Sequence, residues 1–448
     1  MKLTLSILFI SICCLVPIHA QKIKYEASFE KAKALSIQQK KPLAILITIE
    51  PPVYVPDFLN GLNDEKVIEK FNSSFINYKA DVSDTSASRK IIKEFRIFRF
   101  PSFIFLDAKG GFMFTDIAFL SRPQPLLDIA EKALSSTKEK SLVEYDSSYA
   151  TGNYTTAFLK DYILRREKAG ITSNDELIEK YVLGLKVSDL ETYNELLFIL
   201  KAGPLADGNA YKLASVNKHL IDSIFKTEPL ADRIAMNNAT IINTMNSAIA
   251  NKSISRAMAA ANFTQGTWVG NPYEGQKNWN FKIVQYYIGV KDTTKYLQQA
   301  AGYYEQYFMR LTVDSVRRRD SLNYVNARKN ARLVNRALIN DTTIRRTISF
   351  SYSKDSYATE LNNAAWTFYQ MAANKNDYLF KAMLWSRRAL ELSAKPAFYD
   401  TYAHLLYRLK FFDEAESMQR KAIESAKAGK RDTKRFQEEY EKIKKKTL

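Results

Sequence analysis

Cysteine is nearly missing from this sequence. Its 448 residues hold two, Cys13 and Cys14, and both fall inside an apolar run from Leu5 to Val16. Lys2 precedes the run, Pro17 breaks it, and Ala20 places a small residue ahead of Gln21. That is the layout of a secretory signal peptide, here residues 1–20. A bilayer span takes ~20 apolar residues, more than this run has, and no comparable stretch follows, so the mature form is expected to lack a transmembrane segment. A lipid anchor would need a small residue directly before the acylated cysteine, and Ile12 precedes Cys13. Cleavage after Ala20 leaves no thiol. Disulfides and cysteine-based redox chemistry are thereby excluded, although the expected location, periplasmic or secreted, would permit them.

Histidine is as scarce, with three in the chain, and only His219 and His404 lie beyond the signal. A metal site takes three or four ligands, and neither residue has a second His or Cys nearby. His404, beside Leu405 and Leu406, reads as a packed core histidine, and His219 reads as a surface residue. No Gly-x-Ser-x-Gly elbow and no phosphate-cradling glycine loop occurs. Glu438 and Glu439 stand among lysines, where ion pairing accounts for them. The expectation is a chain with no catalytic residue, no metal and no cofactor: not an enzyme.

Positive charge is what the chain has in excess: 66 Lys and Arg against 48 Asp and Glu, a net charge of +18. The surplus gathers between Arg310 and Arg346 and between Lys427 and Lys446. Phosphate contacts are one use of such charge, but an exported chain with no groove-reading motif predicts no nucleic-acid partner. Solvated helix faces account for most of the charge, and an anionic envelope surface is the alternative. Arg328, Arg332 and Arg336 repeat every four residues along one helix face, a candidate stripe for an acidic partner.

The patterning divides the chain. From Tyr25 to Ser136, helical and strand patterns alternate, which predicts an α/β layer. A helix is expected over Phe29 to Gln39. Pro42 to Thr48 is an apolar run fit for a strand buried on both faces. Asp64 caps a helix carrying Val67, Ile68 and Phe71. Phe75 to Asp81 is a second strand, Ser88 to Phe95 a short basic helix, and Phe100 to Asp107 a third strand. Lys109-Gly110-Gly111 turns into Phe112 to Asp116, and Pro123 to Leu134 closes the layer. Beyond Ser141 helical periodicity dominates. Ala382 and Ala389 recur 33 residues later as Ala415 and Ala422, the mark of paired helices. The expected domains are 21–137 (α/β), 141–350 (helical), 355–430 (helical repeats) and 431–448 (a basic helix or tail).

The α/β region resembles an exported thioredoxin-like domain. The resemblance rests on Lys41-Pro42 before the buried strand, on Asp64 to Asn72, on the strand ending at Asp81, and on FRFPSFIFLDAKGG just after Arg96, from Phe98 to Gly111. It covers about a quarter of the chain. It puts Pro101 at the family's cis-proline position and the Cys-x-x-Cys motif at Pro51, Pro52, Val53 and Tyr54, none of them a thiol. The family's buried proton-transfer acid falls near Ile45, which is apolar. What the resemblance leaves is the cis-proline surface, Phe100 and Pro101, which in the family hydrogen-bonds an extended peptide; the alternative is a purely structural cis-proline. The segment from Tyr399 to Ala426 resembles tetratricopeptide repeats, with Tyr399, Ala403, Leu406, Ala415 and Ala422 at the pattern positions. Leu361, Ala365, Phe368, Ala382 and Ala389 form the unit before it.

One stretch remains, FTQGTWVGNPYEGQKNWNF from Phe263 to Phe281, expected to be a long loop. Its Trp268 and Trp279 either pin that loop to the helical core or grip a sugar or protein partner. Together the residues predict a cysteine-free thioredoxin-like domain followed by an all-α tetratricopeptide-like domain. The expected role is non-catalytic binding or scaffolding of a protein or peptide in the cell envelope. The alternative is an accessory that holds clients in a thiol-disulfide or folding pathway.

Overall fold

Strand β2 (Leu43–Thr48) is buried along its whole length, as an unbroken apolar run demands of a central strand. It pairs in parallel with β3 (Ile76–Asp81) on one side and antiparallel with β4 (Ser102–Leu106) on the other, so that Ile45 lies opposite both Tyr78 and Ile104. β1 (Tyr25–Glu26) adds in parallel to β3, and β5 (Phe112–Ile117) adds antiparallel to β4, giving a mixed sheet of order β1-β3-β2-β4-β5. The computed structural model describes residues 22–48, 59–82, 87–95, 97, 100–319, 321–322, 325, 355–372 and 375–448. Chain contacts gather these into two compact units, Met1–Pro204 with Gly208–Ala239, and Leu205–Asp207 with Thr240–Leu448.

In the first unit, alternation of side chains across the strands splits the core. Leu43, Ile45, Ile47, Ile104 and Leu106 face α1 (Phe29–Gln39) and α3 (Ala87–Glu94), through Phe29, Ala32 and Ile91. Ala44, Leu46, Phe103 and Phe105 face α2 (Glu65–Ser74) and α4 (Pro123–Ser136), through Val67, Phe71, Leu126 and Ala130. Phe71 stacks on Phe103 at 5.2 Å, and Phe105 meets Phe114 at 5.2 Å. The expected cap on α2 forms, Asp64 accepting from the backbone of Lys66 and Val67 at 3.0 and 3.2 Å. Gly110 sits at φ +82°, the left-handed region where a side chain is strained, and Asp107 braces the turn by accepting from the N–H groups of Lys109 and Gly111.

The α2/α4 side of this core does not stop at the α/β layer. It continues without a break through α5 (Leu142–Ala150), α6 (Thr156–Lys168), α7 (Asp175–Leu183), α8 (Tyr193–Lys201), α9 (Asn209–Val216) and α10 (Lys218–Thr227), as far as Met236. Met236 lies on α11 (Leu230–Ala250), the helix in which the two units divide.

The second unit is helical throughout its described residues: α12 (Ile254–Gly266), α13 (Pro272–Gly289), α14 (Thr293–Tyr304) and α15 (313–319), then α16 (Ser356–Met371), α17 (Asn376–Leu392), α18 (Pro396–Arg408), α19 (Phe412–Ala428) and α20 (Lys434–Lys444). A single π turn, Glu305–Met309, follows α14. Here one expectation fails. Phe263 to Phe281 is not a loop, since α12 runs to Gly266 and α13 begins at Pro272. Asn271 caps α13 by accepting from the Glu274 N–H at 3.2 Å, and Pro272 takes the first helical position, where a missing N–H costs nothing.

Candidate functional site

The ends of two strands meet at Pro101. The Phe100–Pro101 peptide is cis, and Pro101 is buried with its carbonyl accepting from the Ala118 N–H at 2.9 Å. The register pairs Ile47 with Ser102, so the last residue of β2, Thr48, comes beside Pro101. Thr48 is itself held down, its hydroxyl donating to Asp81 Oδ2 at 3.1 Å. Phe100 is half-buried against the α1/α3 side of the core, and its backbone N–H and C=O make no hydrogen bond among the described residues. Pro51, Pro52, Val53 and Tyr54 lie outside the described residues. Ile45 is fully buried in the apolar core.

The other sequence-predicted residues separate. Arg328, Arg332 and Arg336 lie outside the described residues. Trp279 is on α13, its Nε1 donating to Asn262 Oδ1 on α12 at 2.7 Å. Trp268 stands in the turn between those helices, 41 % exposed. A Cβ at Gly275 would meet the Gln265 carbonyl oxygen at 3.2 Å, so the glycine lets the two helices cross closely. Trp279 thus works as a clamp between helices and not as part of an open loop. His219 is exposed and His404 buried.

Three clusters were not read from the sequence. In the first unit Tyr145, Tyr149, Tyr154, Phe158 and Tyr162 form a ring-on-ring patch, with Tyr145 and Tyr162 parallel at 5.3 Å. Lys140 covers Tyr145 at 4.4 Å and Lys180 covers Tyr149 at 4.7 Å, both inside cation–π range. Burial, with the Asp146 carboxylate accepting its proton, pushes the Tyr162 hydroxyl up to about 12. Spacings of four and five along α5 and α6 carried this signal.

Around the π turn, the buried Tyr304 donates to Glu360 Oε1 and the buried Trp385 Nε1 to Glu305 Oε1, each at 2.8 Å. Lys277 sits over Phe308, 5.1 Å from the ring centre, and burial pushes its amine below the usual lysine range, against the charge of Glu274. The third cluster surrounds His404 and joins α18 to α20. Among the described residues no group of three or more His, Cys, Asp or Glu is placed to hold a metal ion, and no helix is long and apolar enough to cross a membrane.

No family model, no curated protein and no solved structure matches this chain.

Proposed function

We propose that the protein is an exported, non-catalytic binding factor of the cell envelope, built from a cysteine-free thioredoxin-like domain and tetratricopeptide-like helical repeats. The observation that carries the reading is the backbone of Phe100 beside cis-Pro101, at the end of a buried strand, which makes no hydrogen bond among the described residues. An extended peptide laid along such an edge gains main-chain hydrogen bonds without any change in the fold. The strand order β1-β3-β2-β4-β5 supports the thioredoxin-like part. An apolar, fully buried Ile45 supports a binding role over thiol exchange, because no acid stands there to move a proton.

The repeat reading draws support from α16 with α17 and α18 with α19. Leu361, Ala365, Phe368, Ala382 and Ala389 are buried, as are Ala403, Leu406, Ala415 and Ala422, while Tyr399 is half-buried. Small residues at matching places let each pair approach closely, and stacked pairs build extended binding surfaces. The same Phe100 edge serves the alternative role, a client holder in a folding pathway.

The test places a photo-crosslinking phenylalanine analogue at Phe100 in the full chain expressed in its own envelope. A second variant carries it at Phe119, which is 53 % exposed in the same unit. Adducts at position 100 that an unfolded reduced protein competes away support the reading; equal labelling at both positions defeats it. Insulin reduction by dithiothreitol should run at the background rate, and the mature N-terminus should be Gln21.

A further inference from the structure

From Ala257 to Tyr273 no residue is charged, in a sequence that is 25 % Asp, Glu, Lys and Arg. Within α12 burial accounts for this, since Ala257, Ala260 and Ala261 are packed away from water. Burial does not account for the turn that follows. Every residue from 266 to 273 is exposed, and a Cβ at Gly266 or Gly270 would meet nothing within 4 Å, so the turn stands out from the helices into open space. At its corner Val269 is 93 % exposed, with the exposed rings of Trp268 and Tyr273 on either side.

This apolar corner is held in one shape. The Asn271 N–H donates to the Trp268 carbonyl at 3.1 Å, and Gly270, between them, sits at φ +82°. That pairing makes a type II turn, whose third position favours glycine. Trp268 is braced at its root. Its N–H donates to the Gln265 carbonyl at 3.1 Å, and a Cβ at Gly275 would lie 3.4 Å from its Cβ. Tyr273 meets the buried Tyr307 edge-on, ring centres 5.7 Å apart. A corner already fixed can bind without the entropy cost of ordering its backbone.

Shape and charge point to one kind of partner. A protruding, uncharged tip of Val, Trp and Tyr suits a surface that yields around it. Trp and Tyr favour the boundary between acyl chains and headgroups, where the ring is apolar and the N–H or O–H stays wet. The cations stand behind the tip. Lys277 is one helical turn, ~5.4 Å, along α13 from Tyr273, and it feels the charge of Arg319 on α15. Neither makes an ion pair among the described residues. Two carboxylates also lie in range of Lys277, Glu274 and Glu360, and Glu360 is occupied by the Tyr304 hydroxyl. Two cations set back from an apolar tip match the phosphates of anionic lipid.

We propose that the turn from Trp268 to Tyr273 is a membrane-contact tip, which inserts Val269 and its flanking rings at the headgroup boundary of a bilayer and sets Lys277 and Arg319 against anionic lipid phosphates. The protein then sits on a membrane surface without a spanning segment, through a contact separate from the Phe100 edge.

The test is sedimentation with vesicles of phosphatidylcholine, alone or mixed with phosphatidylglycerol. It uses the chain from Gln21 to Leu448, which keeps every described residue and removes the apolar run of residues 5–16 as a second lipid binder. The chain should sediment with the mixed vesicles, and lipid brominated in its acyl chains should quench its fluorescence. Val269→Asp should weaken binding by about tenfold or more, the scale of one apolar side chain returned to water. Phe411→Asp makes the same charge change at another exposed site of the unit and should leave binding intact. Trp268→Phe should still sediment but lose the quenching. No sedimentation with either vesicle, or equal losses in Val269→Asp and Phe411→Asp, overturns the proposal. A crosslink from position 269 to an envelope protein, in place of vesicle binding, gives the tip to a protein pocket and overturns it too.

Discussion

Arg165 Nη1 donates to the backbone carbonyl of Met113 at 3.4 Å, and its Nε donates to the carbonyl of Lys140 at 3.2 Å. The guanidinium, 6 % exposed, thereby joins strand β5 to helix α6 across the segment in which the alternating pattern gives way to helices. Its charge is met by Glu139 at 3.7 Å. The α/β layer and the helices after it are therefore tied by a polar staple as well as by a common core.

Arg165→Met keeps much of the volume but leaves the buried Met113 carbonyl and the part-buried Lys140 carbonyl short of a donor. Each unmade bond of that kind costs about 1–3 kcal/mol, so the variant should lose about 2–4 kcal/mol in urea unfolding followed by far-UV circular dichroism. An unchanged midpoint would show that water replaces the guanidinium.

Glu167 carries the opposite expectation. Burial pushes its carboxyl up to about 6, opposed by the charge of Lys201, and its Oε1 is buried with no hydrogen-bond partner among the described residues. A carboxyl raised above its unfolded value binds protons better in the folded state, so its ionisation costs stability, and the cost builds as pH rises from about 4.5 to about 6. Glu167→Gln should remove that slope and stabilise the protein at neutral pH by about 1 kcal/mol, after allowance for partial solvent contact. Urea midpoints at several pH values measure both effects.

Gly61 donates its N–H to the Leu120 carbonyl at 2.8 Å. A Cβ there would lie 2.6 Å from the backbone carbonyl carbon and oxygen of Arg122. Backbone cannot swing aside as a flexible side chain can, so Gly61→Ala should cost about 2 kcal/mol, in the range of overpacked sites, and lower the melting temperature.

All four tryptophans, Trp268, Trp279, Trp366 and Trp385, belong to the second unit, so their fluorescence reports that unit alone. Ala415 is fully buried between α18 and α19. Ala415→Leu should force those helices apart at a cost of about 2 kcal/mol, seen as an earlier fluorescence transition. No shift would mean that the helices do not depend on a small residue there.

The α/β elements were legible because their signals are local. The β2 run, the Asp64 cap and the Gly110 turn each act within a few residues, and all three stand where expected. The misreading of Phe263 to Phe281 has a local cause too. Its glycines and asparagines suggested a loop, yet Asn271-Pro272 is a helix start, and Gly275 serves a helix crossing that no single segment displays.

By itself the sequence determined what chemistry is open to this protein. With cysteine confined to positions 13 and 14, no arrangement of the later residues can supply a thiol, and side-chain periodicity sets the order of strands and helices because it is a property of neighbours along the chain. Tertiary structure alone decided the rest. It left the Phe100 backbone beside Pro101 without a hydrogen bond among the described residues, it brought Arg165 to Met113, and it set Glu439 against a histidine 35 positions earlier. Hydrogen bonds depend on distances of a few tenths of an ångström between groups far apart in sequence, and only packing fixes those.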